Sequence, residues 1–116
     1  GWAMAWIVMR MLGACVVVPL AEELAFRGAV FRLLGDGLHK LQRPLSPQVQ
    51  GGVVLLLSSL AFGVLHGDWV AGTLAGLAYG LLRWHSGRIS DAVVAHSVTN
   101  MLLGLYAITT GSWSLW

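Results

Sequence analysis

The chain has 116 residues, of which 57% are hydrophobic and only 10% charged, and its formal net charge is +2. A soluble domain carries about 25% charged residues, so this composition weighs against an ordinary soluble fold. The few cations are too scattered for a nucleic-acid partner. What remains is an all-α protein, a polytopic membrane helix bundle of four or five helical segments with a buried polar site, set in the lipid bilayer. Residues 1–116 read as one domain, and a start without Met inside apolar sequence is expected of a piece of a longer protein. No basic n-region or small-residue cleavage site marks a signal peptide. Cys15 is the single cysteine, so no internal disulfide can form, and it reads as packing.

Trp2–Val18 is an apolar run interrupted only by Arg10. Pro19–Leu34 follows as a separate helix, with Pro19 expected in its first turn and Glu22 and Glu23 near the positive end of its dipole. Gly35-Asp36-Gly37 is expected to break that helix. Leu38–Pro47 is a polar connection carrying Lys40 and Arg43, and Gln48–His66 is the next spanning helix. Gly67-Asp68-Trp69 is a turn. Val70–Leu82 has only thirteen residues, short of the roughly 20 that a crossing needs. Its Gly72, Gly76 and Gly80 form a small-xxx-small stripe suited to close backbone approach, read as packing without chemistry. Arg83–Asp91 is a second basic connection, and Ala92–Ile108 is the last helix. The positive-inside rule puts both basic connections on the cytoplasmic side. The six tryptophans fall near segment ends, as an interfacial belt would have them.

Three polar islands interrupt the apolar helices: Glu22-Glu23-x-x-x-Arg27, Phe62-x-x-x-His66 and His96-x-x-x-Asn100. Glu23 and Arg27 share a helix face as an acid-then-base pair one turn apart. Glu22 lies about 100° away and has no partner on its own helix. One glutamate is therefore held, and the other is free to act as a base. Intramembrane polar groups turn inward and meet one another. A carboxylate, two imidazoles and an amide can hydrolyse an amide bond without a nucleophilic side chain. A glutamate and a histidine deprotonate water, while a histidine and an asparagine donate to the oxyanion.

Plainer roles exist for each island alone. A lone intramembrane His or Asn often serves a helix–helix hydrogen bond, and Glu23–Arg27 could be structural. Asp68 and Asp91 suit helix starts. A serine mechanism through Ser97 suffers because the adjacent His96 points about 100° away. Glu22, His66 and His96 could form a His₂Glu zinc set, but no H-E-x-x-H scaffold is present. The favoured reading needs no metal and no cofactor. The alternatives are a zinc-dependent intramembrane hydrolase and a non-catalytic membrane scaffold or immunity protein.

E-E-L-A-F-R, F-G-V-L-H and H-S-V-T-N, in this order, resemble the three signature motifs of the CAAX-protease and bacteriocin-processing (CPBP, Abi) family. The resemblance covers Pro19 to about Ile108. It implies a glutamate-dependent intramembrane endopeptidase that acts on a peptide or membrane-associated protein. By motif position, Glu22 and His66 would activate water, His96 and Asn100 would stabilise the oxyanion, and Glu23 and Arg27 would order the site, with Phe62 beside His66 as support. It also implies further helices upstream. D-A-V-V-A-H-S-V-T-N and the terminal W-S-L-W resemble the bacterial branch found beside exosortase-type sorting systems, which implies a bacterial plasma (inner) membrane.

Overall fold

A computed structural model describes residues 1–41 and 45–116. Arg43, expected in the first basic connection, lies outside the described residues. Among the described residues four helices follow one another: α1 (Trp2–His39), α2 (Pro47–Val64), α3 (Trp69–Ser86) and α4 (Ile89–Thr110), then a 3₁₀ turn at Trp113–Leu115. No strand occurs among the described residues. α1, α2 and α4 are each long and apolar enough to cross a membrane. Leucines and tryptophans cover the outside, whereas Glu23, Arg27, Ser58, Ser59 and His96 are buried. Such an apolar exterior is a liability in water and a requirement in lipid.

Two sequence expectations fail in α1. Pro19 does not open a second helix, because the chain stays helical through it. At about 1.5 Å per residue, the 38 residues of α1 make a rod near 57 Å, which accounts for the 61 Å long axis of the molecule. A π-helical segment, Gly13–Val17, precedes Pro19, and a second, Leu24–Val30, follows Glu23. Proline has no N–H and crowds the preceding turn of an α-helix; the wider i→i+5 turn relieves the crowding but not the missing donor. In that register the Val18 N–H reaches the Gly13 carbonyl, so the Pro19 position would serve the Ala14 carbonyl and cannot. The second failure is at Gly35-Asp36-Gly37, where α1 continues to His39. Glycine inside a helix costs only about 1 kcal/mol. Here Gln50 Nε2 donates to the Gly35 carbonyl at 3.0 Å, tying this turn to α2.

α2 and α3 form a close antiparallel hairpin. Asp68 caps α3 by accepting from the Ala71 N–H at 3.0 Å. α3 outlasts its apolar stretch, running 18 residues to Ser86 and ending at Gly87 in the left-handed conformation (φ 74°). It is thus longer than the sequence suggested, because polar Arg83–Ser86 continue the helix beyond the apolar stretch. The glycine stripe faces α2. A Cβ on Gly72 would stand 3.0 Å from the Gly63 Cα, and one on Gly76 3.1 Å from the Ser59 Cα. Those neighbours are backbone and cannot swing aside. Gly76→Val should therefore destabilise the bundle by roughly 1–3 kcal/mol through overpacking. A melting temperature in detergent equal to wild type would refute the tight α2–α3 contact.

α4 packs against α3 and against the middle of α1. The apolar centre is small: Phe62, Tyr79 and Ala92, with Phe26, Ala75 and Ala95 against them. Beside this centre lie the charged residues of α1.

Candidate active site

Glu22 and Glu23 occupy the short α-helical turn between the two π segments of α1. Glu23 and Arg27 are fully buried and pair, with Arg27 Nε 3.2 Å from Glu23 Oε2. Arg27 Nη1 donates to Glu23 Oε1 at 3.4 Å, and Nη2 donates to the Gly76 carbonyl at 2.6 Å. The guanidinium also lies over the Phe62 ring, 4.7 Å from its centroid, and 5.7 Å from that of Tyr79. The cation thus meets a carboxylate, a carbonyl and two π faces, compensation that an arginine in this setting needs.

Glu23 has a second partner that the sequence did not disclose. Its Oε1 lies 2.8 Å from His96 Nδ1. A carboxylate beside Arg27 accepts, so Nδ1 carries the hydrogen and the imidazole is held in one orientation. Tyr79 stacks on the same ring, with centroids 4.8 Å apart and planes at 15°. Tyr79 was passed over because it sits in the glycine-striped segment read as packing. Its polar hydroxyl in an apolar run was the available signal.

His66 follows the end of α2 and His96 lies two turns into α4, positions that look too far apart in depth for one site. The His66 side chain folds back: Nδ1–H donates to the Phe62 carbonyl at 2.6 Å, and the ring packs on Phe62 with centroids 4.3 Å apart. Phe62 also meets His96 edge-on at 5.7 Å and Phe26 at 5.2 Å. Glu22 Oε2 then lies 3.7 Å from both His66 Nε2 and His96 Nε2. The Glu22 side chain is 30% exposed, in contrast to Glu23 at 0%. Even so, its Oε2 atom is shielded and has no hydrogen-bond partner among the described residues. At 3.7 Å neither imidazole makes a direct hydrogen bond with it. No group of three His, Cys, Asp or Glu among the described residues has the arrangement of a metal site.

Asn100 lies one turn beyond His96 on α4. Its Nδ2 donates to the Ala14 carbonyl at 2.7 Å, the acceptor that Pro19 leaves without a donor. Asn100 is thereby fastened to α1, and one N–H of its amide remains. The structure thus gathers Glu22, Glu23, Arg27, Phe62, His66 and His96 around one point, with Asn100 anchored alongside.

No curated protein and no solved structure matches the chain. The carboxylates, imidazoles and amide met here come from the three ordered motifs, all of which lie within residues 4–102. That stretch matches the family described as type II CAAX prenyl endopeptidase Rce1-like, and the chain belongs to this family of CAAX-type intramembrane proteases.

Proposed function

We propose that this integral membrane protein hydrolyses a peptide bond of a membrane-associated peptide or protein with a water activated by Glu22 and His66. The observation that carries the reading is the convergence of Glu22 Oε2 with the Nε2 atoms of His66 and His96, each 3.7 Å away. Both imidazoles have their Nδ1 hydrogens committed elsewhere, so both direct Nε2 at the same place. A water there gives a proton to Glu22 as its oxygen attacks the substrate carbonyl carbon, with His66 Nε2 accepting the other hydrogen and orienting it. The carbonyl π pair moves onto oxygen. His96, donating through Nδ1 to Glu23, becomes a donor to the oxyanion when Nε2 also carries a proton. That proton brings the formal charge of Glu22, Glu23, Arg27 and His96 to zero, as a membrane interior favours. Collapse of the intermediate returns the Glu22 proton to the departing amine nitrogen, leaving an amine and a carboxylic acid, which gives up its remaining proton to solvent on release.

The direct test is cleavage profiling of membrane and secreted peptides in cells that carry the intact protein or its Glu22→Ala variant. Peptides processed only in the first arm support the reading; identical profiles defeat it in favour of a non-catalytic scaffold. Chelator-sensitive turnover would move the chemistry to a zinc ion on Glu22, His66 and His96.

The remaining N–H of Asn100 is the second oxyanion donor in this reading. Asn100→Ala should lower turnover by about 10²–10³, the usual effect of losing one such donor. Substrate affinity should hold. Since the Ala14 carbonyl also loses its partner, a modest drop in stability of about 1 kcal/mol accompanies it. Unchanged kcat in that variant would leave Asn100 a structural anchor only.

Sidedness follows from the hairpin. Because α2 and α3 run antiparallel, Pro47 and Ser86 lie at one end of the bundle. The basic connections at both places then face the cytoplasm. Cysteines introduced at Lys40 and Ser86 should react with impermeant reagent from the same side; labelling from opposite sides would overturn this topology.

A further inference from the structure

Three arginines, Arg27, Arg32 and Arg83, line a cavity of about 550 Å³ between the second half of α1, the end of α3 and the start of α4. Leu24, Ala29 and Ile89 form its apolar wall, and among the described residues no carboxylate lines it. The chain has only five acids, and they are spent elsewhere. Glu22 and Glu23 face the histidines and Arg27, Asp91 pairs with Arg88, and Asp68 caps α3. Asp36 is exposed near the end of α1, outside the cavity. Arg27 is neutralised by Glu23, but among the described residues Arg32 and Arg83 have no ion-pair partner. Arg83 Nε is in addition shielded from solvent and without a hydrogen-bond acceptor among the described residues. Two cations without a counter-charge, around a cavity lacking negative charge, call for an anion.

The cavity's position says which anion. Arg83 adjoins the exposed Trp84, a residue of the interfacial belt, at the end of the bundle where the basic connections lie. Leu24 is eight residues before Arg32, about 12 Å deeper along α1, and with Ala29 it is exposed on the lipid-facing surface. Charge at headgroup level with a greasy wall descending towards the bilayer centre matches an amphiphile. A free phosphate would leave that wall unused. We propose that this cavity binds the phosphate of one anionic phospholipid between Arg32 and Arg83, with an acyl chain along Leu24 and Ala29. Basic pockets between membrane helices on the cytoplasmic side hold anionic headgroups by this means. The site is separate from the Glu22 chemistry, with Arg27 forming the wall between them.

The test uses the full-length protein in non-ionic detergent, titrated with dioleoyl phosphatidylglycerol or dioleoyl phosphatidylcholine and read by native mass spectrometry and melting temperature. Each arginine should contribute about fivefold, so phosphatidylglycerol should bind one per chain and about thirtyfold more tightly than phosphatidylcholine. Arg32→Gln with Arg83→Gln should erase the preference, while Lys40→Gln, which does not line the cavity, should retain it. Should the double variant fail to fold, the wild-type comparison still decides: equal binding of the two lipids overturns the proposal. So does equal stabilisation by inorganic phosphate alone, which would make the ligand a free anion. Stabilisation by a peptide with a free C-terminal carboxylate, but not by phosphatidylglycerol, overturns it in favour of a peptide site.

Discussion

Glu22→Gln is expected to leave the protein folded and to lower turnover by about 10²–10⁴, the contribution of a general base. The amide keeps the length and planarity of the carboxylate, so the side chain still reaches towards His66 and His96. What it loses is the ability to take a proton from water. Glu22 stands outside the Glu23–Arg27 pair and is 30% exposed, so no buried counter-charge is orphaned. Stability should remain within about 0.5 kcal/mol of wild type. The check is kcat on a peptide identified by the cellular profile, together with the melting temperature of the same preparation. A folded and active Glu22→Gln would place the base elsewhere.

Much of this site was legible because a membrane makes polar residues conspicuous. Glu22, Glu23, Arg27, His66, His96 and Asn100 stand out in an apolar chain, and helical spacing alone separates the paired Glu23 from Glu22. Close packing of α3 against another helix was legible in Gly72, Gly76 and Gly80, although the stripe could not say which helix it faced. Less visible was the continuity of α1. Pro19 is a sound helix-start signal by the rules of local structure, and nothing local reveals that a π turn absorbs it. That turn depends on a partner 86 positions away, since Asn100 satisfies the Ala14 carbonyl.

Tyr79 and the Glu23–His96 contact were hidden for the same reason. Both depend on how α1, α3 and α4 meet, and spacing along one helix carries no information about contacts across helices. The apparent depth conflict between His66 and His96 also arose from counting residues along helix axes. Nδ1 of His66 binding the carbonyl of Phe62 draws the ring back by a turn, a local bond that residue counting does not register.

The opposite outcome is expected at the neighbouring glutamate. Glu23 is fully buried and serves two donors, Arg27 and the Nδ1–H of His96. In Glu23→Gln only one oxygen remains, and the other terminus becomes an NH₂ group. If the oxygen faces His96, the NH₂ confronts the guanidinium; if it faces Arg27, the NH₂ confronts Nδ1–H. In either case Arg27 stays buried without a counter-charge, retaining only the Gly76 carbonyl and the Phe62 and Tyr79 rings. Breaking a buried pair in this way costs about 3–5 kcal/mol, comparable to a large part of a domain's stability. Poor accumulation and a lowered melting temperature should follow, and the surviving folded fraction should also turn over slowly, because His96 has lost its anionic support. A double variant separates the two effects. Glu23→Leu with Arg27→Met removes both charges, and well-packed apolar replacements of a buried pair are often neutral or stabilising. It should regain most of the lost stability yet stay inactive, since His96 Nδ1 no longer has a carboxylate. Recovery of activity along with stability would reduce Glu23 to a structural counter-ion for Arg27. A stable, inactive Glu23→Gln beside an active Glu22→Gln would exchange the roles of the two carboxylates.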